Sequence, residues 1–273
     1  MSKLPTLFIP HGGGPCFFMD WDPPDTWARM AEYLRSVPDQ IGAKPKALLV
    51  ISGHWEEDVA TIQNNPSPPL LYDYYGFPES TYQIRFPAPG APEVSKRVAE
   101  LLEGAGIAHK FDNARGFDHG VFIPLKVAFP HADVPIVQLS LLASLDPAAH
   151  IRIGQALAPL RDEGVLIVGS GMTYHNMRRL MASMRGGADA RRADPGSERF
   201  DDWLDRAVTG VSPQERAAAL QDWANAPSAR AAHPREEHLL PLHVVVGAAG
   251  DDPGRRTLKD VVMGAVESAF TFG

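Results

Sequence analysis

Apolar, β-branched runs closed by Gly or Pro recur along the chain at Thr6–Pro10, Ala47–Ser52, Val134–Leu139, Val165–Gly169 and His243–Val246. Each reads as a buried strand rather than half a helix. Between them the apolar positions move to helical spacing. Trp27, Met30, Ala31 and Leu34 share one face, as do Val94, Val98, Leu101 and Leu102, with Gly104 and Gly106 as the stop. A further helix is predicted from Asp146-Pro147. Strands alternating with helices predict an α/β fold with a central, mostly parallel sheet flanked by helices.

Two stretches break the alternation. Residues 64–92 are rich in Pro and aromatics (Tyr72, Tyr74, Tyr75, Phe77, Tyr82, Phe86) and predict an ordered excursion that walls a pocket. Residues 185–235 are polar, yet Phe200, Trp203, Leu204 and Val208 keep helical spacing, and Ser212-Pro213-Gln214-Glu215 is a capping box. This is a helical insert, because an apolar strand run follows it. The 273 residues are therefore expected to form one domain, 1–273, although the length alone lies between one and two.

With 26 Lys+Arg against 33 Asp+Glu, the net charge of −7 offers no concentrated positive footprint for nucleic acid. No basic run is longer than the pairs Arg191-Arg192 and Arg255-Arg256. No apolar run approaches the ~20 residues that span a bilayer. The start, Met1 to Pro10, reads as a first strand and not as a signal peptide. The single cysteine, Cys16, rules out an intrachain disulfide framework, fits a reducing cytoplasm and reads as a small buried side chain beside Phe17 and Phe18. Ten histidines beside one cysteine is the unusual feature.

Three of those histidines share a setting. His11 closes the first strand, His54 follows Leu-Leu-Val-Ile-Ser-Gly, and His175 follows Leu-Ile-Val-Gly-Ser-Gly-Met-Thr-Tyr. Each therefore lies at or just beyond the C-terminal end of a predicted strand, the edge where open α/β sheets bind ligands. Gly12, Gly13, Gly14, Gly53, Gly169 and Gly171 beside them allow close backbone approach. They match neither a Walker loop nor a G-x-G-x-x-G fingerprint, and no G-x-S-x-G elbow exists. Either Asp118-His119 between glycines or His233-Pro-Arg-Glu236-Glu237-His238 is able to complete a metal sphere with nitrogen and oxygen donors. His109, His131, His150 and His243 lack such settings and read as surface or packing residues. Neutral imidazoles around a divalent cation leave net positive charge, which favours an anionic chelating substrate such as a catecholate. Zn²⁺ would activate water there, and Fe²⁺ would bind substrate and O₂ side by side. Spacing does not choose between them.

The blocks Ile-Pro-His11-Gly-Gly-Gly-Pro, Ile-Ser-Gly-His54-Trp55, Tyr72-Asp-Tyr-Tyr-Gly-Phe-Pro78, Phe86-Pro-Ala-Pro-Gly90, Gly116-Phe-Asp-His119-Gly, Val137-Gln-Leu-Ser140, Gly169-Ser-Gly-Met-Thr-Tyr-His175-Asn176 and Glu237-His238-Leu-Leu-Pro-Leu run in order over nearly the whole chain. Together they resemble the class III extradiol ring-cleavage dioxygenases of the DOPA 4,5-dioxygenase type, related to the B subunit of protocatechuate 4,5-dioxygenase. The resemblance implies a single α/β domain with one non-haem metal site at the C-terminal ends of its strands, holding Fe(II) for activity, with Zn(II) also accommodated. It implies His11, His54 and His238 as metal ligands, Glu237 being the alternative to His238 because distant members use glutamate. It further implies His175 as acid/base or as a fourth ligand to zinc, and His119 as proton donor or substrate anchor. His233 joins the histidines outside the site. The expected reaction cleaves a catechol next to its hydroxyls with both atoms of O₂. Tyr72, Tyr74, Tyr75 and Phe77 would form an aromatic wall, and Arg85, Arg178 or Arg235 would pair with a substrate carboxylate. The expected partners are a small catechol and O₂, with neither nucleic acid nor membrane, and a homo-oligomer is compatible with the sequence. The competing readings are a non-catalytic binding protein on the same scaffold, as in Memo-type proteins, and a zinc hydrolase that turns over without O₂.

Overall fold

In the computed structural model, which describes residues 3–185 and 192–273, the strands are β1 (Thr6–Pro10), β2 (Ala47–Glu57), β3 (Ala60–Gln63), β4 (His109–Asp112), β5 (Ile136–Leu142), β6 (Val165–Gly171), β7 (Gly254–Val262) and β8 (Ala265–Phe272). They make one sheet in the order β4-β3-β5-β2-β6-β1-β8-β7. The central run β5-β2-β6-β1 is parallel, as is β3 with β4, while β3·β5, β1·β8 and β7·β8 are antiparallel. The helices are α1 (Ala28–Ile41), α2 (Pro92–Gly104), α3 (His119–Ala128), α4 (Pro147–Leu157), α5 (Met177–Arg185), α6 (Pro195–Val208), α7 (Pro213–Gln221), α8 (Ala229–Ala232) and α9 (Leu240–Ala249).

Alternation along the buried strands sorts the core into two layers. Leu48 and Val50 of β2 pack with α1 and α3 on one face through Met30, Leu34, Val121 and Leu125. Leu49 and Ile51 meet Val98, Leu102, Ile153, Leu157 and Val244 of α2, α4 and α9 on the other. The expected α/β architecture is thus the observed one. α4 begins where Asp146-Pro147 placed it, with the Asp146 side chain accepting from Ala148 N, and the Ser212/Glu215 capping box forms at α7.

One element corrects the reading. His243–Val246 is not a strand but lies inside α9, whose ten residues are all buried. A helix packed on every side has no polar face, so a short stretch of it shows an unbroken apolar run like that of a buried strand. The opposite masking hides β8, which is fully buried yet carries Glu267, Ser268 and Thr271. Residues 64–92 contain one short 3₁₀ turn, Glu79–Gln83, and are tied down by bridges from Leu70 to Phe117 and from Gly90 to Ile136. The stretch 185–235 holds α6, α7 and α8, its residues 186–191, including Arg191, lying outside the described residues. No helix among the described residues is long and apolar enough to cross a membrane.

Candidate metal centre

The parallel pairing of β2 with β6 ends at Ser52 and Ser170, and β1 ends at Pro10. His11 lies one residue beyond β1, at one edge of the sheet. His54, expected at or beyond the end of its strand, instead lies inside β2, two residues past the end of the β6 pairing, where the strand is interrupted by a bulge and then runs on to Glu57 beside β5. His238 joins them from the turn before α9, which lies on that edge because two glycines admit it. A Cβ on Gly171 would meet His238 O at 2.1 Å, and one on Gly53 would meet Glu237 O at 3.2 Å. Met172 N donates to His238 O, fixing the turn to the end of β6.

The three imidazoles face one another through Nε2. His54 Nε2 lies 3.1 Å from His11 Nε2 and 3.2 Å from His238 Nε2. Their Nδ1 atoms point outward. His11 Nδ1 is 3.2 Å from Ser170 Oγ, and that hydroxyl donates its own proton to Gly120 O. Ser170 therefore accepts from His11, whose Nε2 carries a lone pair. His238 Nδ1 donates to Glu237 Oε1 at 3.0 Å, which leaves its Nε2 bare as well.

Burial depresses the basicity of all three rings, and the neighbouring histidines add to it. His11 and His238 fall well below the usual imidazole value, and His54 falls to about 4. Three neutral rings whose Nε2 atoms converge, those of His11 and His238 with their lone pairs inward, offer a ready set of donors to a cation. Two nitrogens each ~2.1 Å from one ion stand roughly 2.9–3.4 Å apart at octahedral or tetrahedral angles. The observed 3.1 and 3.2 Å fit that spacing, and the all-imidazole donor set suits zinc or iron.

Two more histidines flank this trio. The His119 ring, at the start of α3, stands 4.0 Å from that of His54, and its Nδ1 donates to Asp73 Oδ1 at 2.8 Å. Asp73 also accepts from His119 N, and its other oxygen lies 3.9 Å from His54 Nδ1. Burial would raise the Asp73 carboxyl, but the hydrogen bond and charge of His119 hold it below the usual range. On the opposite side His175 stacks on His238, with centroids 3.4 Å apart and planes 15° apart. Its Nδ1 donates to Glu237 Oε1 at 3.1 Å.

The loop carrying His175 is clamped along its length. Thr173 N and Oγ1 donate to the wholly buried Glu267, His175 N donates to Ala232 O, and Asn176 Nδ2 donates to Ala231 O.

All five histidines singled out from the sequence are thus brought together, and the other candidates divide. The Asp118 carboxylate turns away from the centre onto Ser52, Arg115 and Gln138. Glu236 pairs with Arg230. Tyr74 contacts the His119 ring edge-on at 5.9 Å, with its hydroxyl donating to Thr81 O, and Tyr72 packs behind it on Phe122. Phe77 lies against Gly14, whereas Tyr75 is exposed. Arg235 is forked onto Glu56 and also reaches Glu237, while Arg85 and Arg178 are exposed. Cys16 is buried, and burial pushes its thiol far up. Asp73, Ser170 and Glu267 were not foreseen. The available signal for Asp73 was a lone carboxylate inside the aromatic stretch Tyr72–Tyr75.

Residues 5–271 match the family described as the catalytic LigB subunit of aromatic ring-opening dioxygenase. The chain is 41% identical over 249 residues to a protein of Beta vulgaris named 4,5-DOPA dioxygenase extradiol, covering 90% of this chain and 87% of the relative. It is 36% identical to dioxygenase tasH of Hapsidospora irregularis, covering 100% of this chain and 86% of that one. A crystal structure of an uncharacterized protein from Escherichia coli K12 superposes with a TM-score of 0.79 at 28% identity, covering 99% of this chain and 100% of that chain.

Proposed function

The chain belongs to the family of aromatic ring-opening dioxygenases, enzymes that cleave an aromatic ring with O₂, and on that premise we propose that it opens a catechol at a mononuclear non-haem iron held by His11, His54 and His238. The convergence of three imidazole Nε2 atoms on one point supports the reading. An Fe(II) held by these three residues would supply open positions for substrate and O₂ and one-electron redox chemistry.

The remaining work falls to side chains of the chain itself. His175, its Nδ1–H fixed on Glu237, has Nε2 free to accept a hydroxyl proton from the catechol. With 21% of its side chain exposed, it can pass that proton outward. His119, its Nδ1–H fixed on Asp73, faces the opposite flank, where its imidazolium form, with a proton on each nitrogen, would donate to the substrate oxygen as charge develops on it. Tyr74, edge-on to His119, bounds the space for an aromatic ring. A reducing cytoplasm, in keeping with the lone buried thiol, would keep iron in the ferrous state.

The test is anaerobic loading with Fe(II), then admission of air with a panel of catechols that includes DOPA and protocatechuate. O₂ uptake together with a new near-visible absorbance is the expected outcome. Stoichiometric iron with no uptake on any catechol would sink the proposal and favour a binding protein. Turnover that persists without O₂ would favour a hydrolase.

A further inference from the structure

The structure assigns Glu237 as a positioning residue that yokes a metal ligand, His238, to the proton acceptor, His175, through a single carboxylate oxygen. Oε1 accepts from His238 Nδ1 at 3.0 Å and from His175 Nδ1 at 3.1 Å. Both rings consequently carry their proton on Nδ1, stack at 3.4 Å, and keep Nε2 free. The inference rests on the reading of the trio as a metal centre.

The carboxylate is not placed as a third ligand. It lies on the Nδ1 side of His238, whereas the edge of His238 that meets His54 is Nε2. Its second oxygen faces Arg235 at 3.4 Å, and that guanidinium is itself forked onto Glu56.

Two effects follow from the shared oxygen. A charged acceptor on Nδ1–H makes His238 a more basic ligand and fixes the angle of its ring. For His175 the effect is larger in kind. A free neutral imidazole prefers its proton on Nε2, and a ring so protonated cannot accept a proton there. Glu237 selects the other tautomer. It therefore governs whether His175 can act as a base, as well as how tightly the metal is held.

Wild type, Glu237→Gln, Glu237→Ala and His238→Ala are compared by zinc competition against a chromophoric chelator and by long-range ¹H–¹⁵N correlation of the histidine rings, with and without zinc. In wild type both rings should show Nδ1–H. Glu237→Ala should weaken zinc roughly 10–100-fold and convert His175 mainly to Nε2–H. Glu237→Gln, whose amide oxygen still accepts, should retain both tautomers and most of the affinity. It decides the matter should the alanine variant not fold.

Unchanged tautomers and affinity in Glu237→Ala would overturn the assignment, as would a changed His175 tautomer in Glu237→Gln. Zinc kept by His238→Ala but abolished in Glu237→Ala would also overturn it by making Glu237 the ligand. Failure of wild type to bind any metal would instead overturn the metal-centre reading. The tautomers of the metal-free protein would still judge the yoke.

Discussion

His150, His233 and His243 lie within the helical layers, and His11, His54 and His238 lie at the strand ends, yet by burial and basicity the two sets are hard to tell apart. Burial is the leading cause of a lowered value in all six, reaching about 3 for His233 and about 4 for His243 and His54. The difference lies in what the nitrogens face. His150 accepts from Leu142 N and donates to Asp146 O, His233 donates to Thr173 O, and His243 donates to Leu220 O. Each holds a backbone group that would otherwise be unpaired. In the strand-end set the outward Nδ1 of His11 and His238 is taken by a side-chain oxygen, and Nε2 meets another Nε2. A depressed imidazole therefore marks burial, and converging lone pairs mark a site.

The sharpest way to break this distinction is His54→Ala, since His54 is in contact with both other rings. Metal affinity measured by equilibrium dialysis and elemental analysis should fall by far more than the ~100-fold that accompanies loss of a supporting residue, and turnover should fall with it. Retention of metal within tenfold would mean that the trio is not the ligand set.

His11 and His54 were legible because the apolar runs of parallel strands break into glycine where their mutual pairing ends, on one edge of the sheet, even though β2 itself runs on past His54 to Glu57. His238 was not legible that way. It precedes a helix whose all-round burial disguises it as a strand, so the residues offered it only within the His233–His238 block and the resemblance singled it out. The choice between Glu237 and His238 was beyond sequence reasoning, because adjacent residues in a turn point in directions that only tertiary packing sets. Asp73 stayed hidden for a related reason. It reaches His119 across 46 positions, from a loop whose shape is fixed by aromatic contacts and two isolated bridges and not by periodicity.

The second prediction concerns the helical set. His243→Leu preserves the apolar surroundings but leaves Leu220 O without its donor, at a cost of about 1–3 kcal/mol, read as a lowered melting temperature with metal binding intact. The pH dependence should change in step. A histidine whose folded value lies at about 4 and whose unfolded value is 6.5 is protonated first in the unfolded chain. Stability is thus full above pH 6.5 and declines as pH falls toward 4. Removing His243 should flatten that decline by up to about 1 kcal/mol per pH unit. An unchanged slope in urea titrations at pH 6, 5 and 4 would show that His243 is not buried neutral.

Asp73→Ala comes third. The carboxylate fixes His119 and lies near, but not in hydrogen-bond contact with, His54. Turnover at saturating iron should fall roughly 10–100-fold, while metal affinity changes less. A larger fall in affinity than in turnover would transfer Asp73 to the metal.

The smallest effect is expected of Ser170→Ala. Ser170 Oγ accepts from His11 Nδ1 and donates its own proton to Gly120 O, so the serine selects the tautomer of His11 as Glu237 does for His238 and His175. It does so with a neutral group. A neutral hydrogen bond contributes about 0.5–1.5 kcal/mol where a charge-assisted one contributes about 1.5–3, and 1.4 kcal/mol is tenfold in affinity. Zinc binding should therefore weaken by no more than about tenfold, less than for Glu237→Ala. The buried ring also has no water to replace the hydroxyl, His11 being 1% exposed, so part of the loss should appear as a lower melting temperature of the metal-free protein. If Ser170→Ala equalled Glu237→Ala in zinc affinity, the charge on the acceptor would be irrelevant. The strand-end set would then differ from the helical set only in which way its rings point.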